Sequence, residues 1–279
     1  MKNKILPYKA DLYTIFIMIS CSLLLYAPQF YKVPSSLILP WLFFSLIFNF
    51  IVNLINHNHS HVPTFGFRTL NIFFDFWLTL NRGASAIFIK VIHNMNHHTY
   101  SGTDKDWFTP ENEGSGIHFL KPFVYLKVTL KKFRTGAKAQ YDQMPKPFNQ
   151  QRTFENIFLV IIIGLCLFNN WKAFIIYTFI PWYFGNMLLV LTNLIFHRHA
   201  EPSDPYNISY NYNGNIENYL FLNGGYHTAH HLKPNIHWSK LKQLHESEVA
   251  PKIKAKYVRT SMFEHLISEY FMPKRNKEN

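Results

Sequence analysis

Stretches without a single charge alternate with strongly polar ones along this chain. Residues 12–31, 33–56 and 173–196 carry no charged residue, and a shorter window, 156–171, is almost entirely apolar through Phe168. A helix needs about 20 apolar residues to cross the hydrocarbon core of a bilayer. Three windows meet that length, and the fourth reaches it if its helix starts near Thr153. The windows read as apolar on all faces, without the polar stripe of a helix buried on one side only. The first two are separated by 32–36 and the last two by 169–172, so they pair as helical hairpins. The pattern predicts an all-α membrane protein with four transmembrane helices, about 12–31, 33–56, 154–171 and 173–196, in two hairpins. A hairpin returns to the side it left. The N-terminus, 57–153 and 197–279 then share one side and form a helical cap, and residues 1–279 make a single membrane-embedded domain.

Charge gives that side a name. The leader holds Lys2, Lys4 and Lys9, and 127–152 holds Lys127, Lys131, Lys132, Arg134, Lys138, Lys146 and Arg152 against one acid, Asp142. By the positive-inside rule the cap and both termini are expected in the cytoplasm, and the low charge with frequent Asn, Lys and Ile fits a bacterial source, hence a bacterial inner membrane. The net charge of +12 is then topology plus attraction to anionic headgroups, and no nucleic-acid recognition motif accompanies it. The first window is too long for a signal peptide, and Ala27-Pro28-Gln29 is a poor cleavage site, so it reads as a retained span. Cys21 and Cys166 fall inside spans and read as packing residues. The runs 72–80 and 84–92, broken by Asn81, Arg82 and Gly83, are too short to span. They are expected along the interface or under the cap.

The unusual number is histidine: 15 residues, clustered beside the spans. His57, His59 and His61 follow the second window, His93, His97 and His98 follow the run ending at Ile92, His197 and His199 close the last window, and His227, His230 and His231 lie in the tail. Residues three or four apart share a helix face. His57/His61, His93/His97 and His227/His231 are four apart and His227/His230 three, so each cluster is expected to aim two or more imidazoles at one point. Neutral imidazole suits Zn, Fe, Cu and Ni alike. Nine or more clustered His exceed the four ligands of a structural zinc and suggest two ions with four or five nitrogens each. Asp104, Asp106 and Glu217 are candidates for orienting imidazoles through their far nitrogen. His237 and Trp238 read as packing residues.

Three boxes emerge: His57-Asn-His-Ser-His61, His93-Asn-Met-Asn-His97-His98 and His227-Thr-Ala-His230-His231. Their pattern and their places relative to the spans resemble the integral-membrane fatty acid desaturase/hydroxylase superfamily, over roughly 12–241. Asn193-Leu-Ile-Phe-His197 matches the arrangement in which acyl desaturases place a ninth His ligand and, one turn earlier, an Asn that holds a bound water. The resemblance implies a non-haem di-iron centre, two Fe ions using O2, with metal ligands His57, His61, His93, His97, His98, His197, His227, His230 and His231 and the water-bearing Asn193. No fused cytochrome b5 motif is present, so electrons are expected from an external ferredoxin or cytochrome b5-type protein.

The function so implied is desaturation of a long-chain acyl lipid. Within the same fold the alternative is a hydroxylase or ketolase of carotenoid, sphingoid or acyl chains, and box two has the three-residue gap usual in hydroxylase-like members. From other classes stand a zinc-dependent membrane hydrolase, which needs a carboxylate or Ser beside the ion, and a non-enzymatic metal-binding protein such as a transporter, which places ligands near the bilayer midplane. His59 and His199 have no assigned role in any of these.

Overall fold

In a computed structural model of the chain, residues 4–272 are described. The fold is almost wholly helical. Among the described residues twelve α-helices follow in order: α1 Asp11–Tyr26, α2 Ile38–His61, α3 Arg68–Arg82, α4 Ala86–Ile89, α5 His98–Tyr100, α6 Lys121–Gln143, α7 Lys146–Ala173, α8 Ile180–His197, α9 Asn215–Leu220, α10 His227–Leu232, α11 Leu241–Leu244 and α12 Met262–Tyr270. A two-residue parallel pairing of β1 (Asn211–Tyr212) with β2 (Val258–Arg259) is the only sheet among the described residues. π-Helical turns link α4 to α5 over Lys90–His97 and α7 to α8 over Phe174–Phe179.

Among the described residues three helical stretches are long and apolar enough to cross a membrane: Asp11–Gln29, Ser35–His61 and Lys146–His197. The third has 52 residues, over twice what a crossing needs. It is broken at Asn170, whose φ of −157° and ψ of 85° are extended rather than helical. That break falls inside 169–172, where the sequence separates two apolar windows. Arg68–Arg82 and Ala86–Tyr100 meet at 89° and count as a fourth crossing only if taken together as one broken span. The exposed side chains of α7 suit lipid: Phe154, Ile157, Val160, Ile161, Leu165 and Phe168 all face outward. Cys21 and Cys166 are buried and free, as packing residues should be.

The chain divides into two units, Met1–Met95 with Lys138–Leu189, and Asn96–Ala137 with Val190–Asn279. The first unit is built around α1, α2, α3 and α7. Its interior corrects the expectation of spans apolar on every face. Asn49, Asn53 and Asn56 are buried along one face of α2, and they meet the buried Arg82 at the end of α3. The guanidinium donates from Nε to Asn53 Oδ1 at 2.8 Å, from Nη2 to Asn186 Oδ1 at 3.0 Å and from Nη1 to Asn56 Oδ1. Asn49 donates to the Asn81 carbonyl at 2.6 Å. A polar group buried without a partner costs on the order of 1–3 kcal/mol, so these bonds are what permits the stripe inside an apolar helix. Gly185 of α8 is required here by space, because a Cβ would lie 2.0 Å from Asn49 Oδ1.

The second unit contains α5, most of α6, the end of α8, α9 to α12 and the strand pair. Its α6 is amphipathic, with Pro122, Tyr125, Thr129, Phe133 and Ala137 buried at helical spacing. A separate apolar cluster of Tyr226, Ala229, Leu241, Leu244 and Val249 packs the tail around α10.

Candidate metal centre

The helix of the second apolar window does not stop where the His begin. α2 runs on to His61, so box one is the last turn of a long helix and its ring positions are fixed by that helix. In the first unit His57 Nε2 lies 2.7 Å from His93 Nε2. The His57 and His61 ring centroids are 5.3 Å apart. One nitrogen of each of His57, His61 and His93 lies within 4.8 Å of the others. Asn58 Oδ1, 3.2 Å from His57 Nδ1, holds that ring from its far side, and Ser60 and Asn94 tie the two His-bearing segments together at 2.9 Å.

His59 belongs to a different structure. Its Nδ1 accepts the Thr64 backbone N–H at 3.1 Å, so its proton sits on Nε2, which faces Asp75 Oδ1 at 3.4 Å. The middle His of box one is a buried tie between α2 and α3.

The second unit holds the tighter group. His97, His197, His227 and His231 each bring one nitrogen to within 4.8 Å of the others. His227 Nε2 is 3.1 Å from both His197 Nε2 and His231 Nε2. Two nitrogens each about 2.1 Å from a common ion and about 95° apart stand about 3.1 Å from each other, so this spacing fits a bound metal. It fits mutual hydrogen bonding poorly, because one nitrogen with one proton cannot serve two such neighbours and leave a fourth ring satisfied. In the same unit His98 Nε2 and His230 Nε2 lie 3.0 Å apart.

The boxes therefore do not each aim at one point. His93 turns to His57, whereas His97, four residues on, joins His197, His227 and His231. The reason is the π-helical turn of Lys90–His97, whose wider winding takes residues four apart off a shared face. Box three splits likewise: His227 and His231 stand one α-helical turn apart and meet, while His230 pairs with His98.

The far nitrogens are held. His97 Nδ1 meets Asp106 Oδ2 at 2.9 Å, and His197 Nδ1 donates to the Ile208 carbonyl at 3.0 Å. Burial pushes the Asp106 carboxyl up, but the His97 ring and the Phe108 N–H outweigh it and hold the group below the usual carboxylate range. Burial first, then the crowd of neighbouring imidazoles, pushes His231 well below its ordinary value, which leaves it neutral and a competent ligand. Of the three acids proposed as orienting groups only Asp106 serves. Asp104 is exposed, and Glu217 instead accepts from Ser261 and from the Met262 N–H, fixing the start of α12.

Asn193 sits one turn before His197 on α8 and is buried, and its Oδ1 has no hydrogen-bond partner among the described residues. A buried acceptor without a donor fits a residue meant to hold a water. His237 is a local cap, its Nδ1 accepting from the Ser239 N–H at 3.3 Å. His199 is exposed, has φ of 59° and lies 3.9 Å from Glu269.

The loop before box three takes an unexpected form. Gly224 and Gly225 have negative φ; the left-handed residues are Leu222 and Asn223, both at φ of 57°. Gly225 is needed for closeness, since a Cβ would lie 2.3 Å from the Tyr212 carbonyl. Thr228 then anchors α10, its N–H donating to Asn211 Oδ1 at 3.2 Å and its hydroxyl accepting from Asn211 Nδ2 at 2.7 Å. Sequence reasoning also passed over Arg198. Beside His197, it forks onto Glu113 at 2.8 and 3.1 Å, bonds Glu269 and lies under the Tyr270 ring.

Both groups consist of His alone among the described residues, so no carboxylate or thiolate competes for an ion. The family model for fatty acid desaturases matches residues 34–262. The chain belongs to the fatty acid desaturase family. This desaturase-family protein is therefore an oxidoreductase of the desaturase/hydroxylase superfamily, with helices able to cross a membrane and His clusters able to bind metal. A comparison with curated proteins finds no match.

Proposed function

We propose that this protein is an O2-dependent fatty acid desaturase that introduces a double bond into a long-chain acyl lipid. The observation that carries the reading is the convergence of His97, His197, His227 and His231 within 4.8 Å in a chain of this family. The ligand set is His57, His61, His93, His97, His98, His197, His227, His230 and His231, with Asn193 holding a water. His97, His197, His227 and His231, all in the second unit, would hold one iron. Removing hydrogen from an unactivated CH2 is beyond any side-chain acid or base, and irons held by this set would supply the oxidising power for it. The protein's own part is positioning. Asp106 and the Ile208 carbonyl hold the far nitrogens of His97 and His197, so that their other nitrogens present lone pairs rather than N–H groups.

We read the 52-residue stretch as two antiparallel spans turning at Asn170, giving four spans in two hairpins. This is supported by contacts inside the first unit. Asn169 donates to the Gln29 carbonyl at 2.8 Å, Thr178 to the Leu25 carbonyl at 2.8 Å and Asn186 to the Arg82 carbonyl at 2.8 Å. The chain thus reaches the end of α1 at the break and then returns to the end of α3. With the basic flanks on the cytoplasmic side, the cap faces the cytoplasm of a bacterial inner membrane and takes electrons from a ferredoxin or cytochrome b5-type donor.

The test is product analysis in a bacterium supplied with a reductase, comparing total lipids with a His230→Ala control. Loss of two hydrogens from a lipid species, absent in the control, supports the desaturase. Gain of one oxygen moves the assignment to the hydroxylase alternative. One zinc per purified chain, in place of about two irons, would sink both.

A further inference from the structure

Near the start of α7 stands an arginine that the protein does not answer. The Arg152 guanidinium stacks over the Tyr141 ring at 3.9 Å, which holds it in place. Its Nε is buried and has no hydrogen-bond partner, and no ion pair among the described residues includes it. The one acid of α7, Glu155, turns inward to Ser85 and Gln151. Arg82 and Arg198 are different: the first meets three Asn and the second forks onto Glu113. A guanidinium offers a planar fork of donors that matches the oxygens of a phosphate or carboxylate, so an anion of that kind is the missing partner.

Arg152 heads a groove. A hollow of about 430 Å³ opens along the outer face of α7, lined by Arg152, Thr153, Asn156, Ile157, Val160 and Ile161, all in the first unit. Steps of one and three residues keep this lining on one side of the helix. Its polar members occupy one end and its apolar members the other, and the rise from 152 to 161 is about 13 Å. The Thr153 hydroxyl is turned back to the Asn149 carbonyl, whereas the Asn156 amide is exposed. Gly164, one turn beyond Val160, has nothing within 4 Å of where a Cβ would stand, so the apolar end stays open. Arg152 lies two residues before the span that begins at 154, at the level where a crossing helix meets headgroups.

We propose that this groove holds one anionic glycerophospholipid, with its phosphate on Arg152, Asn156 as a second donor and an acyl chain along Ile157, Val160 and Ile161. The occupant follows from the polarity of the groove. A free anion accounts for the cationic end and leaves the apolar end without a use. An amphiphile whose charge sits at headgroup level and whose chain runs into the hydrocarbon uses both, and basic pockets beside membrane helices select anionic headgroups in this way. Because Arg152 rests on Tyr141 of α6, the bound lipid also ties α7 to the end of α6. The proposal rests on α7 belonging to a stretch able to cross a membrane, and not on the chemistry of the metal centre.

The experiment titrates the full chain in neutral detergent with phosphatidylglycerol, with phosphatidylcholine and with inorganic phosphate. Bound lipid is counted by native mass spectrometry, and the thermal midpoint is followed beside it, since a ligand of the folded state raises it. The unaltered protein is compared with Arg152→Gln, with Val160→Trp, which fills the apolar end and leaves the cation, and with Lys172→Gln, which removes a cation from the far end of α7. The unaltered protein should bind phosphatidylglycerol about tenfold or more tighter than phosphatidylcholine, and that binding should weaken about tenfold in Arg152→Gln and in Val160→Trp but less than about threefold in Lys172→Gln. Equal affinity for the two lipids, or equal weakening in Lys172→Gln, overturns the proposal. Weakening in only one of Arg152→Gln and Val160→Trp overturns it too, because the site then lacks either its anion or its chain. Displacement of phosphatidylglycerol by millimolar inorganic phosphate would assign Arg152 to a free anion, and a dimer that Val160→Trp makes monomeric would assign the face to a second copy; either result overturns it. Should Arg152→Gln not fold, the lipid preference of the unaltered protein and the Val160→Trp variant decide.

Discussion

Two buried polar assemblies in this protein look alike in composition and differ in what they ask for. In the first unit Arg82, Asn49, Asn53, Asn56, Asn81 and Asn186 sit in an apolar surround and answer one another donor to acceptor. In the second unit His97, His197, His227 and His231 aim bases at one another around a common point. The first assembly is complete as protein. The second is one that a cation can complete, because Asp106 and the Ile208 carbonyl already hold the far nitrogens of His97 and His197 and so turn their near nitrogens inward as lone pairs. A satisfied network reads as architecture and a convergent, one-sided one as a ligand set.

The comparison breaks most sharply if His231→Ala keeps its metal. The variant should lose one of two bound ions and at least about 100-fold in activity, seen by elemental analysis and lipid products, while still folding. Arg82→Met should do the reverse. It strands three amide oxygens in an apolar surround and should cost about 3–5 kcal/mol, read as a lowered thermal midpoint, with metal per folded chain unchanged. The two His–carboxylate pairs sharpen the contrast. Asp106→Asn should weaken metal binding by about 10–100-fold in a chelator competition with little loss of stability. His59→Gln, which breaks the pair with Asp75, should keep full metal content and cost about 1–2 kcal/mol.

The smallest effect is expected with pH. Burial pushes the Glu113 carboxyl up, but Arg198, Tyr270 and Lys121 outweigh it and hold it below its ordinary 4.5. A carboxyl lowered in the folded state stabilises above the unfolded value, and that contribution is lost as pH falls through the folded one. Stability should therefore fall with acidification below about pH 4.5, and Glu113→Gln should make that part of the melting curve shallower. An unchanged acid slope would show that the Arg198 clamp contributes nothing through Glu113.

Much of this was legible in the chain because it depends on short-range regularities. Charge-free windows report hydrocarbon-compatible helices, and three boxes of His at fixed spacing report a metal-binding family. The expectation of spans without a polar stripe failed at Asn49, Asn53 and Asn56. Their spacing of four and three is visible in the sequence, but Asn carries no charge and a window screened for charge passes over it. Spacing of four brings His57 to His61 and His227 to His231, but not His93 to His97, because a spacing rule assumes an α-helix and the turn there is π-helical.

The sequence by itself determined the membrane-compatible helices, the family and the His clusters able to bind metal, since each follows from residue type and nearby spacing. Only the tertiary structure decided which imidazoles meet, that His59 turns to Asp75 instead, that Asp106 and not Asp104 or Glu217 holds a ring, and that Arg198 is clamped by Glu113. These are choices among residues far apart in the chain. They are settled by where helices bend and pack, and local pattern does not encode the direction in which a side chain finally points.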